Sequence, residues 1–241
     1  MLISFIIPTL NEEKILERTL KALRELKNID YEIIISDGRS TDGTLAIAKK
    51  YEAKVIEYTG TARQTIGQGK NLGAASASGE YFIFLDADVI IFKINSFIDK
   101  ALKVFAENKD LQGLTVFLKV LPEVANTMDK IVFNLANWTH YLGNNILKFG
   151  MASGEFQMVK AKAFKQIGGY DETLAVAEDQ DFFARLAKTG KTYIDPELRV
   201  FHTSRRAHKL GWPRLLMSWW INFITLKLFK RSVNKEWKVI R

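Results

Sequence analysis

The chain has 241 residues, more than a disulfide-stapled mini-protein needs and few for two ordinary domains; one α/β domain commonly reaches this length. With 47% hydrophobic and 26% charged residues and only 15 glycines and 4 prolines, it is neither disordered, collagen-like nor low-complexity. The absence of cysteine excludes disulfide frameworks, thiolate metal sites and cysteine nucleophiles, and the formal charge of +8 points to a polyanionic partner.

Leu2–Ile7 is an apolar run ended by Pro8, short enough for a central strand. Asn11 or Glu12 can open a helix in which Ile15, Leu16, Leu20, Leu23 and Leu26 recur at helical spacing through Lys27. A second strand is predicted at Tyr31–Ser36, followed by the turn residues Asp37–Thr44, with Ser40, Thr41 or Asp42 able to cap a helix near Leu45–Tyr51. A third strand at Lys54–Tyr58, a helix from Arg63 to Ala77 and a strand at Tyr81–Leu85 complete a βαβ rhythm. The second half is less regular, with helices at Ser96–Phe105, Ala125–Leu147 and Glu178–Lys188. Its strands are placed at Leu114–Val120, Phe156–Val159 and Leu198–His202. The alternation predicts a mostly parallel, Rossmann-like sheet, and ligands bind such sheets at the carboxyl ends of the strands. Thr9–Glu13, Asp37–Thr44 and Asp86–Asp88 all fall at those ends.

The charge is unevenly placed. Residues 1–204 carry 25 basic and 26 acidic side chains, whereas residues 205–241 carry ten basic groups against Glu236 alone. This describes a near-neutral body with a basic tail, and not the spread positive face of a nucleic-acid binder. Eleven of the fifteen residues Leu215–Phe229 are apolar, yet as a helix they would span only about 22 Å, too little to cross a bilayer. Arg214, Ser218, Asn222 and Thr225 recur as a polar stripe, and Trp219, Trp220, Lys227, Lys230 and Arg231 suit a helix lying on anionic lipid. The same segment is open to a second reading, a helix packed on the body with its charges solvated. Met1–Leu10 lacks a basic start and a cleavage site, so a cytoplasmic address is expected, peripheral at the inner face of the cell membrane.

Gly67–Leu72 lacks the third glycine of a dinucleotide fingerprint, and Gln64 and Asn71 stand where a P-loop needs glycine and Ser/Thr. Asp86-Ala87-Asp88 survives these tests. Two carboxylates one residue apart after an apolar strand can converge on a hard divalent cation that also takes diphosphate oxygens.

Ile6–Glu13, Ser36–Thr44, Lys70–Gly73, Asp86–Asp88, Gly168–Glu172 and Glu178–Phe182 together resemble the family 2 glycosyltransferases, over roughly residues 1–204. The resemblance implies a GT-A fold, with a nucleotide-sugar half (1–90) and an acceptor half (91–204) followed by a basic amphipathic tail (205–241). It implies an inverting transferase using Mg²⁺ or Mn²⁺, with a nucleoside-diphosphate sugar as donor and a hydroxyl acceptor; read with the basic amphipathic tail, the acceptor is expected to be lipid-linked or membrane-proximal. Pro8, Thr9, Asn11 and Glu12 would line the nucleoside pocket, Asp37 would bond the base, and Lys70, where members commonly carry arginine, would contact the nucleotide. Asp86 would bind ribose or sugar, Asp88 would ligate the metal, Asp179 would be the general base, and His202 would be a metal or diphosphate contact.

Each residue also has a plainer reading. Pro8 can simply end a strand, Asn11, Glu12, Asp37 and Asp42 can be turn and cap residues, and Glu178 and Asp179 can favour a helix dipole. His202 can be a structural histidine. Arg205 and Arg206 can grip a diphosphate or a lipid phosphate, or be surface charge. Two rival functions stand beside the transferase: an inactive membrane-bound scaffold that binds nucleotide sugars, and a sugar-1-phosphate nucleotidyltransferase. The second needs a glycine-rich loop after the first strand, where Pro8-Thr9-Leu10-Asn11 stands instead.

Overall fold

Strands rich in isoleucine and phenylalanine, with side chains buried on both faces, are the mark of interior strands in a parallel sheet. β1 (Leu2–Thr9), β2 (Asp30–Asp37) and β4 (Tyr81–Leu85) have this character in the computed structural model, which describes residues 1–229. With β3 (Lys54–Glu57), β5 (Leu111–Val120), β6 (Phe156–Lys160) and β7 (Lys191–His202) they form a seven-stranded sheet in the order β3-β2-β1-β4-β6-β5-β7. β6 runs antiparallel to both neighbours, and every other pairing is parallel.

Alternate residues of each strand feed two cores. Ile3, Phe5 and Ile7 pack on one face with α1 (Leu16–Leu23), α2 (Thr44–Lys50) and α4 (Ile94–Glu107). Ile6, Phe82 and Phe84 pack on the other with α3 (Ile66–Ala75), α6 (Ala161–Gln166) and α7 (Glu178–Leu186). On this second face the rings of Phe84, Phe164, Tyr170 and Phe182 nest together, with Tyr170 and Phe182 stacked at 4.2 Å.

The reversal of β6 decides where the chemistry gathers. It brings the amino end of β6, with Glu155 just before it, to the edge that holds the carboxyl ends of β1, β4 and β7. Asp86 marks the junction, its N–H donating to the Glu155 carbonyl at 3.2 Å.

Four elements differ from the sequence expectation. α1 starts at Leu16 because Asn11 takes a left-handed φ of 56° and the Glu12 carbonyl accepts from Ile15 and Leu16, so the loop turns before it coils. β7 is twelve residues long where a short strand at Leu198–His202 was expected. Asp195-Pro196 breaks its pattern, and the pairing with β5 skips from Asp195 to Arg199, a bulge that absorbs a residue with no N–H to donate. α6 has no counterpart in the expected elements. The expected helix at Ala125–Leu147 is α5 (Thr127–Tyr141), continued by a π turn over Leu142–Ile146.

The chain after Ser204 is not detached from the body where it begins. α8 (Arg205–Leu210) and α9 (Trp212–Phe229) are tied to α5 by one carboxylate. Asp129, fully buried, closes a capping box with Asn126, accepts from the Trp212 indole at 3.0 Å and lies 2.7 Å from His208 Nε2. Along α9, Trp212, Leu215, Asn222 and Leu226 are buried, while Met217, Trp220 and Leu228 are exposed. The polar stripe therefore does not face solvent as a unit, because Asn222 is turned inward. Lys230 and Arg231 lie outside the described residues.

Asp129 is the vulnerable point of this junction. Burial pushes its carboxyl up, but the Asn126 N–H, His208 and Trp212 outweigh it and hold the group below its ordinary value. Asp129→Ala removes the acceptor arm of the capping box and leaves the buried indole N–H without an acceptor, so we expect a loss of about 2–4 kcal/mol in urea denaturation. A carboxyl with a lowered folded-state value stabilises above its unfolded value and loses that contribution on acidification. The gap between wild type and variant should therefore narrow as pH falls below about 4.

Candidate active site

The loops after β1 and β2 are stitched together by side-chain bonds. Asp37, fully buried, accepts from Thr9 Oγ1 at 3.0 Å, from the Ser40 N–H at 2.7 Å and from Ser40 Oγ at 2.6 Å. Asn11 donates its N–H to Ser40 Oγ at 2.8 Å and accepts the Thr41 N–H at 2.7 Å. Both residues shape these loops, and neither lines the adjoining cavity.

That cavity, about 460 Å³, opens at the shared sheet edge. Pro8, Thr9 and Glu12 from the β1 end, Asp86 and Asp88 after β4, Glu155 before β6, and His202, Arg205 and Arg206 from the β7 end all line it. Glu12 and Arg205 form a two-pronged ion pair at 2.6 and 2.8 Å. Arg205 Nε also stands 3.7 Å from Asp88 Oδ2, which accepts from the Thr203 hydroxyl as well. Such a fork fixes the guanidinium plane, which a lysine could not do.

His202 is buried against Phe133, at 4.7 Å between ring centroids, and its Nδ1 accepts the Ser204 N–H at 3.3 Å. Its Nε2 is buried with no hydrogen-bond partner and belongs to a cavity-lining residue. A buried polar atom left unmade costs about 1–3 kcal/mol, a cost that a bound ligand would relieve. Among the described residues no group of three His, Asp or Glu side chains is arranged to hold a metal. Asp88 lines the cavity, however, and Mg²⁺-type ions commonly take only one or two protein ligands, with substrate phosphates completing the shell.

Lys70 does not line the cavity. It sits in α3, fully buried, with Nζ 3.5 Å from both Glu178 Oε1 and the Gly154 carbonyl and 5.0 Å from the centre of the Tyr170 ring. Burial works against its charge, but Glu178, Asp86 and Asp179 together raise its pKa above the ordinary lysine value. Lys70 is thus an internal counter-ion for three carboxylates.

Asp179 lies in the first turn of α7, half-buried, with Oδ1 accepting the Gln180 N–H at 2.8 Å. A side chain built on Gly154 would meet both Lys70 Nζ and Asp179 Oδ2, at 3.5 and 3.6 Å, so these two groups flank one backbone position beside cavity-lining Glu155. Burial, reinforced by Glu178, pushes the Asp179 carboxyl up to about 8 against the pull of Lys70. Burial raises Asp86 well above its ordinary value too, again opposed by Lys70.

Of the residues expected from sequence, the structure gathers Pro8, Thr9, Glu12, Asp86, Asp88, His202, Arg205 and Arg206 around one cavity. Lys70 and Asp179 are outside its lining, both next to Gly154, and Asn11 and Asp37 belong to the loop scaffold. Sequence reasoning missed Glu155 as a site residue and Asp129 as the tail's anchor. A lone acid before a strand carries no motif, and only the reversal of β6 brings Glu155 to this edge.

The family model described as glycosyl transferase family 2 matches residues 4–168. The chain belongs to that family. Over 223 residues this family 2 chain is 26% identical to the poly(ribitol-phosphate) beta-N-acetylglucosaminyltransferase TarS of Staphylococcus aureus, covering 82% of the chain and 38% of TarS, so it spans about two-fifths of that relative's length. It is 26% identical over 218 residues to the GalNAc(5)-diNAcBac-PP-undecaprenol beta-1,3-glucosyltransferase of Campylobacter jejuni, covering 85% and 65% of the two chains. The mannosyltransferase PcManGT of Pyrobaculum calidifontis, solved with GDP-Man and Mn²⁺, superposes with a TM-score of 0.68 at 19% identity, over 88% of this chain and 59% of that one. The seven-stranded, mostly parallel sheet is accordingly a GT-A fold.

Opposite outcomes are expected for the cation and the acid of the buried cluster. Lys70→Met leaves three carboxylates without their counter-charge and should cost about 3–5 kcal/mol in urea denaturation. Asp179→Asn should stabilise. With a raised folded-state value, the native protein holds a proton that the unfolded chain has released between about pH 4 and pH 8, so wild-type stability declines over that window. The variant cannot ionise, and its advantage over wild type should therefore be larger at pH 8 than at pH 5.

Proposed function

We propose that the chain is an inverting, metal-dependent glycosyltransferase that moves a sugar from a UDP- or GDP-linked donor to an acceptor hydroxyl at or near a membrane, on a lipid-linked molecule. The observation that carries this reading is the meeting of two unlike carboxylate sets at one sheet edge. Asp86 and Asp88 line the cavity beside Arg205, and Asp179, its carboxyl pushed up to about 8, flanks Gly154, the residue before cavity-lining Glu155.

In this reading the donor occupies the 460 Å³ cavity, with its nucleoside over Pro8, Thr9 and Glu12 and its sugar toward Asp86. Arg205, held in plane by Glu12, and Arg206 face the diphosphate, and the buried Nε2 of His202 is satisfied from the same side. His202, whose Nδ1 accepts from Ser204, carries its proton on Nε2 and would donate to a diphosphate oxygen and not ligate a metal ion. Asp88 would hold Mg²⁺ or Mn²⁺, which when bound offsets charge on the departing nucleoside diphosphate. The Mn²⁺ and GDP-Man in the P. calidifontis structure support this assignment.

Asp179 takes the proton of the acceptor hydroxyl while that oxygen attacks the anomeric carbon opposite the diphosphate. One C–O bond forms as the bond to phosphate breaks, so the configuration inverts. A carboxyl with a value of about 8 is a far stronger base than an ordinary aspartate and suits an alcohol proton better. The acceptor class draws support from the C. jejuni relative, whose name carries an undecaprenol-linked substrate. The exposed Trp220 and the basic groups of the tail suit an anionic membrane surface, although no helix among the described residues is long and apolar enough to cross a membrane.

Calorimetry with UDP- and GDP-sugars, with and without Mn²⁺, tests the donor site: metal-dependent binding to one of them is expected, and no binding to any would overturn the reading. Asp179→Asn should retain donor binding and lose about 10²–10⁴-fold in turnover. In the wild type kcat/KM should rise with pH through about 8, where Asp179 gives up its proton, and then level off.

A further inference from the structure

Large apolar side chains left in water usually mark a contact surface. Among the described residues eighteen such side chains are exposed; nine of them lie within residues 124–149 and seven within 216–229. In the first group Met128, Ile131, Leu135, Trp138, Leu142 and Ile146 recur every three or four residues along α5 and its π turn, forming one outward stripe. Leu135 is 70% exposed, Ile146 60% and Trp138 56%. The opposite face of α5 is committed to the body through Asp129, Val132, Phe133 and Asn137.

The charges around the stripe identify what covers it. Residues 124–149 contain three fully ionic side chains, Asp129, Lys130 and Lys148. Asp129 is buried under Trp212 and His208, so within these residues the exposed charges are two lysines, and Glu123 just before them is paired with Arg18. Lys148, at a left-handed φ of 57°, is set between exposed Leu147 and Phe149. A lysine between apolar groups at the edge of such a face can reach lipid phosphates while its neighbours enter the acyl boundary. A second copy paired along this stripe would bring lysines of like charge together, with no acid within residues 124–149 exposed to offset them.

We propose that the outer stripe of α5 and its π turn is a docking surface for an anionic lipid bilayer, separate from the C-terminal helix. The proposal rests on the membrane-proximal acceptor reading above and deepens it. The inner side of the same helix reaches the segment that carries the base. Gln180, next to Asp179, donates to the Ala152 carbonyl at 2.5 Å and lies 3.3 Å from His140 of α5, while Asn144 of the π turn accepts the Met151 N–H at 3.0 Å. Docking through this helix sets the acceptor side of the cleft against the bilayer, where a lipid-linked hydroxyl arrives.

Flotation of the full chain on vesicles tests this, using phosphatidylglycerol–phosphatidylcholine mixtures against pure phosphatidylcholine. Wild type should float with the anionic vesicles and little with the neutral ones. Leu135→Ser with Trp138→Ser should reduce the floated fraction at least about fivefold while calorimetric donor binding stays unchanged. Trp220→Ser with Leu228→Ser examines the tail separately. If only the tail pair abolishes flotation, the stripe proposal falls and the tail reading stands; if wild type does not float at all, both fall while the donor site is untouched. Light scattering of the same samples supplies the remaining outcome. A wild-type dimer that becomes monomeric in the stripe variant, without any lipid binding, would assign the stripe to a second copy and overturn the proposal.

Discussion

A buried lysine among three carboxylates joins the two halves of this molecule. Lys70 belongs to α3, in the first βα units, and the Glu178–Asp179 pair belongs to α7, more than a hundred residues later. Burying an isolated ammonium costs several kcal/mol, and a single acid would repay little of it. The fold supplies Glu178 at 3.5 Å, the Gly154 carbonyl and the Tyr170 ring, with Asp86 and Asp179 contributing at longer range. Burial pushes the Asp179 and Asp86 carboxyls up, Glu178 adds to it, and Lys70 pulls both the other way. The raised carboxyls are therefore a consequence of the burial that joining the halves imposes. An arginine here would need a wider space for its planar group, and the compact ammonium suits the gap beside Gly154, where even a Cβ would lie 3.5 Å from Nζ.

A second charge link closes the opposite wall. Glu12 lies just past β1 and Arg205 just past β7, so their fork ties the first loop of the chain to the start of its tail. Asp129 repeats the device one layer out, where it holds His208 and Trp212. Residues 205–212 are thereby part of the cavity's construction, and a boundary drawn at residue 204 on composition falls between residues that the packing unites.

The first half of the fold was legible because each strand there is a short apolar run bounded by turn residues and each helix repeats at helical spacing. Tyr81–Leu85 was placed to the residue for that reason. The second half was harder, for physical reasons that particular residues show. Pro196 splits β7 into pieces that read as loop and short strand, and only the partner β5 reveals their continuity. Asp86 and Asp88 stand out as a motif after an apolar strand, and Asp179 is named only through the resemblance. The place of Lys70 cannot be read in this way, since a basic residue in a glycine-rich segment looks the same whether it faces a nucleotide or turns inward. That choice is made by Glu178 and Tyr170, distant in sequence and near only after folding.

α5 shows how one helix can separate two solvents. Its inner side is polar where it meets the site: Asn137 exchanges hydrogen bonds with both backbone groups of Leu118, and burial lowers His140 to about 4, so its ring is neutral beside Gln180. A charged imidazole there would favour the ionised form of any carboxyl near it, and Asp179 is the residue before Gln180. The outer side carries the apolar stripe. A lipid surface against that stripe would exclude water from the side of α5 away from the site and further disfavour charge on His140. In the reading proposed above, docking and basicity act in the same direction, because the helix that would meet the bilayer also keeps a neutral imidazole against Gln180, the residue after the proposed base.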